Sequence, residues 1–194
     1  MNSVVRSVSI DAEVTSGDFR SAMRQLTGGV SVITAGRGRD ISGMTVTSVS
    51  SLSVDPPALI VSINREASSW PLVKRYGFFG VNILASDQID VAERFTGRGG
   101  LKGAARFAGA RWMTRASGVP LLAGALAAID CAVEDVVERH SHAIVIGRVL
   151  DVAVSARTAA LAYWQGRYVA IDQDEDAAKL AEVSVPTRKT ASKV

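Results

Sequence analysis

A single cysteine, Cys131, stands in the 194-residue chain. That excludes an internal disulfide and any cluster of thiolate metal ligands, and it suits a reducing cytoplasm. Charge of one sign is also scarce. The formal net charge is +3, and part of it comes from Arg188, Lys189 and Lys193 close to the C-terminus. So small an excess, with no platform of interleaved aromatic and basic side chains, excludes a nucleic-acid footprint. No apolar run approaches the ~18 residues of a membrane span. The opening MNSVVRSVSIDAEV lacks the apolar core of a signal peptide. There is no internal repeat. GRGGLKG does not match the Walker phosphate loop and does not follow a strand as a Rossmann turn would. No G-x-S-x-G elbow occurs and the many serines have no triad, so hydrolase chemistry finds no support.

What is present is a chain 47% hydrophobic, enough for one globular core. The body is expected over 16–172, with residues 1–15 loosely ordered and the polar tail 173–194 mobile. Within that tail, DEDAAKLAEV can form a short helix. A helix is predicted from Asp18 to Leu26, capped by Asp18, with Phe19, Ala22, Met23 and Leu26 on one face. GGVSVITA reads as a strand, GRGRD as a hairpin turn, and the following stretch as the returning strand. ALIVSI and FFGVNIL read as buried strands. Ser69-Trp70-Pro71 starts a short helix through Lys74, and SDQIDVAERFTG is a helix capped by Ser86 and closed by Gly97. A long Gly/Arg loop runs to Trp112. The β-branched segments 125–137 and 143–154 form an antiparallel ribbon around ERHSH, and AYWQGRYVAID reads as a helix end, a turn and a last strand. Six to seven strands with two or three short helices, and no βαβ alternation, predict a mainly β domain built as a closed or partly open antiparallel barrel.

Four stretches carry candidate chemistry. In SGMTVTSVSSLSVDPP the ends read as strand: Met44, Val46, Leu52 and Val54 share a face that Ser48 and Ser50 interrupt, while Thr45, Thr47, Ser51 and Ser53 line the other. So many hydroxyls and amides in a short span suit a flat polar ring or a phosphate. A bulged Ser/Thr-rich strand accounts for the same residues. SINREASSW follows an apolar strand and offers Ser and Arg65 before a helix start, a reasonable phosphate site, or an ordinary cap with a solvated arginine. His140 and His142 share a side if both lie on a strand, but no Cys or carboxylate cluster stands at ligand spacing, so no metal is expected. A single histidine at the hairpin end is better suited to an anionic or aromatic ligand, or is a turn histidine in solvent. In the Gly/Arg loop, Arg98, Lys102, Arg106 and Arg111 either clamp a nucleotide phosphate or sit in solvent.

Taken in order, these segments resemble the flavin reductase family with an FMN-binding split barrel. The resemblance rests on Leu26-Thr27-Gly28-Gly29-Val30-Ser31-Val32-Ile33-Thr34 and on the run from Gly43-Met44-Thr45 to Asp55-Pro56-Pro57. Ser62-Ile63-Asn64-Arg65, Phe79-Gly80-Val81-Asn82-Ile83-Leu84, Ala92-Glu93-Arg94-Phe95 and His142 through Gly147-Arg148-Val149 follow in the expected order. It spans about Phe19 to Ile171 and implies an antiparallel, Greek-key split β-barrel. It further implies that Thr45, Val46, Thr47 and Ser48 run along the flavin ring, that Ser50 and Ser51 face its ribityl–phosphate arm, and that Ser62, Ile63, Asn64 and Arg65, with Ser68 or Ser69, complete the phosphate end. Phe95 and the loop after it border the pocket, and His142 stands on the nicotinamide side. Two positions depart from the family pattern. Thr47 replaces a frequent Asn, changing one ring contact from an amide to a hydroxyl or to the backbone. His140-Ser141 replaces a frequent Gly-Asp, which bears on the choice between NADH and NADPH.

The resemblance implies an NAD(P)H:flavin oxidoreductase, with FMN or FAD as flavin, NADH or NADPH as co-substrate and no side chain acting as a catalytic acid or base. Its work is to stack the nicotinamide against the flavin ring, and proximity supplies most of the rate. Family partners include a separate monooxygenase that takes the reduced flavin, and some members reduce another acceptor such as a corrinoid. A homodimer is implied as well, the long ribbon offering edges for association to cover. Two other readings stay open at this point: a non-catalytic flavin carrier or sensor on the same barrel, and a β-barrel interaction module with an incidental serine-rich strand.

Overall fold

The computed structural model describes residues 14–172. The expected mobile tail with its short helix, and most of the expected loose N-terminus, lie outside the described residues. Among the described residues there are three α-helices, α1 (Ser16–Met23), α2 (Trp70–Tyr76) and α3 (Ile89–Phe95). The strands are β1 (Gly28–Gly29), β2 (Ser31–Arg37), β3 (Asp40–Val46), β4 (Val49–Ser53), β5 (Ala58–Asn64), β6 (Phe78–Ile83), β7 (Trp112–Met113), β8 (Leu121–Leu122), β9 (Ala127–Arg139), β10 (His142–Val154), β11 (Ala160–Trp164) and β12 (Arg167–Ile171). Seven of them form one sheet in the order β3-β2-β6-β9-β10-β5-β4, and β1-β11-β12 form a smaller one. Every pairing is antiparallel.

The strand pattern follows from burial. β5 alternates strictly, with Leu59, Val61 and Ile63 inward, as a sheet with one covered face requires. β2 is buried on both faces. Ile33 and Ala35 enter one core cluster with Val61, Phe79 and Val145. Val30 and Val32 enter a second with Leu84, Phe95 and Leu161. The β2–β3 hairpin turns at Gly38, whose φ of 61° suits glycine. The ribbon β9–β10 bends at two bulges, and at the first of them Gly147 passes against the Phe79 ring, where a Cβ would collide.

β3 and β4 are the two edges of the large sheet and do not pair with each other, so the sheet is not a closed cylinder. Yet only Thr47 and Ser48 separate them in sequence. Three Cα steps reach at most roughly 11 Å, so the sheet curls until its edges meet at this corner. The open space between the edges, beyond the corner, is where the functional cleft lies.

Four expectations need correction. α1 starts at Ser16 and is capped by Thr15; Asp18 is the reciprocal partner in a capping box, its N–H donating to Thr15 Oγ1 over 3.1 Å. The supposed core face of that helix is exposed, Phe19 at 61% and Leu26 at 65%. α3 is preceded by Gln88 rather than capped by Ser86, because the Gln88 side chain turns back to accept from the Ala85 N–H. The last segment has no helix end: β11 and β12 make a hairpin through Gln165-Gly166, fixed by Leu161 in the core and by the Tyr163–Tyr168 ring contact. Finally, Met44 is buried while Leu52 and Val54 are exposed. The corner at Thr47–Ser48 moves the chain to the opposite sheet edge and ends the shared face.

Candidate functional site

A cleft of about 810 Å³ opens between the two sheet edges. β3 forms one wall, from Met44 to Val46. The other is β5 and the turn after it, through Ser62, Asn64, Glu66, Ala67 and Ser68. Hydrogen bonds tie the walls together at both ends. At the corner, Ser48 Oγ donates to the Ser62 carbonyl over 2.8 Å, and at the far end the Ser42 and Ser68 hydroxyls meet at 2.9 Å. The frame is therefore fixed, while the strand edges inside it stay unpaired. The Gly43 carbonyl points out of its edge and accepts from Arg106 Nη1. By the alternation of an antiparallel strand, the main-chain N–H and C=O of Thr45 face the same open edge. The Thr45 hydroxyl is spent on the Ala92 carbonyl, 2.6 Å away, which leaves Thr45 with backbone groups to offer.

α3 and the loop after it supply the roof on the β3 side. Phe95 is fully buried and stacks edge-on with Phe107 at 5.0 Å and tilted on Trp112 at 5.5 Å. Its ring lies directly over Gly43, where a Cβ would stand 2.8 Å from Phe95 Cε1. Gly43 is thus the residue that lets the aromatic roof sit on the strand. Arg106 is almost buried and is committed to the carbonyls of Gly43 and Leu101; burial lowers its pKa from the ordinary value. Lys102 also lines the cleft, is exposed, and its ammonium has no protein partner among the described residues. One carboxylate, Glu66, shares the lining. His142 opens β10 opposite Asn64, and its Nδ1 contacts Ser141 Oγ at 2.9 Å, leaving Nε2 as the free ring nitrogen.

Of the residues singled out in the sequence, the structure brings Thr45, Val46, Thr47, Ser48, Ser62, Asn64, Ser68, Phe95 and His142 together around this cleft. Five others lie elsewhere. Ser50 and Ser51 have passed the corner onto exposed β4. The Ile63 side chain is wholly in the core. Arg65 pairs with Glu138 at 2.8 Å and donates to the His140 carbonyl. Ser69 is fully buried behind Ser68, and its hydroxyl makes no hydrogen bond. His140 takes a left-handed turn conformation, φ 49°, so it does not share a strand face with His142. Met44, Glu66, Ala67, Thr96 and Gly97 line the cleft without having been singled out. In the Gly/Arg loop Lys102 and Arg106 reach the cleft and Arg111 does not. The signal for this was the glycine density: Gly97, Gly99, Gly100 and Gly103 all take positive φ and fold the loop back over β3.

The arrangement provides a flat slot with unpaired backbone donors and acceptors along its edge, hydroxyls at both ends, an aromatic roof and one free cation. It suits a planar polar ring carrying an anionic arm.

Comparisons with known proteins agree with this geometry. The family model described as "Flavin reductase like domain" matches residues 23–172. The chain is 35% identical over 155 residues to the FMN reductase (NADH) RutF of Cronobacter sakazakii, covering 80% of this chain and 92% of that one. It is 32% identical to the reductase subunit HsaB of a flavin-dependent monooxygenase from Rhodococcus jostii, covering 81% of this chain and 78% of that one. Its fold superposes on the styrene monooxygenase flavin reductase of Pseudomonas putida S12 with a TM-score of 0.70, at 30% identity, covering 79% of this chain and 97% of that structure.

Proposed function

The chain belongs to the flavin reductase like family, and from that membership we propose that it is an NADH-dependent flavin reductase whose reduced FMN or FAD serves a separate monooxygenase. The observation that carries the reading is the slot between the two sheet edges, open along its length and fastened at both ends. Its contents fit a flavin. The unpaired edge at Thr45 can meet the polar rim of the ring, the Phe95 side packs against it, and Lys102 is free for a phosphate.

A bound flavin supplies a ring that accepts hydride from a reduced nicotinamide. The protein's part is placement. Thr45, Val46, Thr47 and Ser48 hold the ring plane through backbone and hydroxyl groups. Ser62, Asn64 and Ser68 line the opposite wall, and Lys102 takes the anchoring role first given to Arg65. His142, with Nε2 free, borders the face left for the nicotinamide. Effective molarities of ~10⁵ M or more from alignment alone remove the need for an acid–base residue. The partner role follows the reductase subunits among the relatives, HsaB and the styrene monooxygenase reductase.

Several structural readings accompany this proposal. The curled seven-stranded sheet, split at the cleft, is a split barrel, and 16–172 is one flavin-binding domain. A homodimer covers the outer face of β5, β10 and β9, where Ile60, Ile144, Ile146 and Val137 form an apolar row with Ile144 43% exposed. β5 and β6 already cover much of the ribbon's edges, so the face is the better candidate for association than the edges first considered. A cytoplasmic setting agrees with the single, buried thiol. Among the described residues no helix is long and apolar enough to cross a membrane.

The test is an anaerobic absorbance titration with FMN and then FAD, followed by NADH. Bleaching of the flavin band at catalytic protein concentration is the expected result. Flavin binding with no bleaching by NADH or NADPH would make the protein a carrier, and no binding would remove the cleft from function.

A further inference from the structure

The turn that follows β5 keeps one of its two charged side chains in the cleft and removes the other. Its backbone is fixed by three hydrogen bonds. The Glu66 N–H donates to Asn64 Oδ1 at 2.9 Å, the Ala67 N–H to the Asn64 carbonyl at 3.1 Å, and the Arg65 N–H to the Ser141 carbonyl at 2.9 Å. Arg65 leaves the cleft lining and closes on Glu138. Glu66 stays in the lining, exposed, and its carboxylate forms no ion pair or hydrogen bond among the described residues. The turn therefore withdraws a cation from the cleft and leaves an anion in it.

Glu66 stands at one particular end. Two residues further on, the Ser68 hydroxyl meets that of Ser42 at 2.9 Å, the fastening away from the corner. Lys102 reaches the same end from the other wall. A Cβ on the next residue, Gly103, would lie 3.5 Å from the carbonyl oxygen of Ile41, which precedes Ser42 on β3. The charged side chains of the lining are Glu66, Lys102 and Arg106, with His142 as a further titratable group. Arg106 is spent on the carbonyls of Gly43 and Leu101, and His142 opens β10 opposite Asn64. One free cation and one free anion thus share the end suited to an anionic arm. A phosphate monoester brings about −1.5 to −2 charges of its own. Attraction to Lys102 and repulsion from Glu66 then oppose each other, in a cleft whose walls keep the effective dielectric below that of water.

We propose that Glu66 is a specificity-determining residue of the flavin site: its carboxylate offsets Lys102, so that the flavin ring and not the phosphate dominates recognition, and a phosphorylated flavin leaves readily. The inference rests on the flavin reductase reading and adds to it a residue whose contribution is to weaken binding. The carboxylate has no partner to lose, so neutralising it leaves no buried group unpaired. Glutamine keeps the shape and the hydrogen-bonding reach and removes the charge, which separates the two effects.

The experiment uses the full chain, with Glu66→Gln, Lys102→Ala and the double variant. Dissociation constants are read by flavin fluorescence, at low and high salt, for FMN and for riboflavin, which has the same ring and ribityl chain without the phosphate. Glu66→Gln should bind FMN about tenfold more tightly than wild type at low salt, with a smaller gain at high salt, and bind riboflavin as wild type does. The double variant should return to within about threefold of the wild-type FMN constant, because the two opposed charges leave together. Weaker binding of both flavins by Glu66→Gln would make the carboxylate an acceptor for ribityl hydroxyls and overturn the proposal. Equal tightening of both flavins, or no change in either, overturns it as well. A wild-type protein that binds neither flavin overturns the flavin reading and this inference together. Wild type that binds flavin without its reduction by NADH or NADPH overturns the reductase reading alone, since the constants are read without hydride transfer.

Discussion

Replacing Gly43 with alanine tests whether the aromatic roof and the β3 edge are one unit. The added Cβ would stand 2.5 Å from the Ile33 carbonyl oxygen, 2.8 Å from Phe95 Cε1 and 2.9 Å from Cδ1. The two obstacles differ in kind. The carbonyl belongs to β2, the strand paired with β3, and moves only if the ladder moves. The ring could tilt, but it is 1% exposed and wedged between Phe107 and Trp112. Overpacking a core costs about 1–3 kcal/mol, and with both neighbours constrained the upper end applies. At roughly 2–4 °C per kcal/mol for a chain of this size, Tm should fall by about 6–12 °C. Gly43 also offers its carbonyl to Arg106, and Met44 and Thr45 follow it along the cleft wall. The displacement must therefore reach the flavin, with affinity falling roughly tenfold, or about 1.4 kcal/mol. Thermal unfolding and fluorescence titration of Gly43→Ala measure both. Adding Phe95→Leu should restore part of Tm, because it relieves the ring contact and leaves the carbonyl contact in place. A Tm within ~1 °C of wild type would refute the packing argument. A large loss of Tm with unchanged flavin affinity would separate the roof from the site.

Lys102→Ala should weaken flavin binding about tenfold at low salt, less at high salt, with Tm unchanged, because the ammonium is exposed and unpaired. Arg65→Ala should shift the same constant by less than about twofold and cost under ~1 kcal/mol, since its pair with Glu138 is solvent-exposed; the reverse order of the two effects would return the phosphate to Arg65. His142→Ala should raise the KM for NADH more than it changes the flavin dissociation constant, and equal effects on both would remove it from the nicotinamide side. Burial, with Asp130 beside it, pushes the Cys131 thiol from 9.0 up to about 12. The unfolded chain ionises first as pH rises, so this contribution to stability is full below pH 9 and is lost between 9 and 12. Urea midpoints at pH 8 and about 10.5 should fall further for wild type than for Cys131→Ala; equal falls would contradict the buried thiol's role.

The parts of the fold that could be read from sequence are those where local pattern and tertiary burial agree. β5 alternates because one of its faces is covered, and the β-branched runs of β9 and β10 pair over almost their whole length. The failures share a cause. α1 ends at Met23, short of the predicted Leu26, and its apolar residues Phe19 and Met23 are exposed, because periodicity reports a face and not what covers it. AYWQG reads as a helix end, yet β11 is a strand because it pairs with Gly28 and Gly29, far away in sequence. The same limit applies to the site. Thr45 to Ser48 line the cleft and Ser50 and Ser51 do not, although all belong to one serine-rich run, because the corner at Thr47–Ser48 carries the chain from one sheet edge to the other. Arg65 looked available because its partner, Glu138, sits on another strand.

An unpaired sheet edge is ordinarily a liability, since it invites another chain to complete the ladder. Here two such edges face each other across a gap that their own hydrogen bonds hold open. Ser48 bonds to the Ser62 carbonyl at one end, and Ser42 meets Ser68 at the other. The α3 loop then closes over β3, with Arg106 bonded to the Gly43 carbonyl. What remains is a slot fastened at both ends, yet lined with backbone groups that still need partners. A flat ring with polar atoms on its rim satisfies them without moving the frame, so little reorganisation precedes transfer. The anchoring charge is limited in the same way. Arg65 and Arg106 are committed to protein acceptors, Glu66 shares the lining, and only Lys102 is free. On the proposed reading, a slot with Lys102 as the one free cation of its lining would position a flavin and hold its phosphate lightly, a combination suited to a reductase that hands its flavin on.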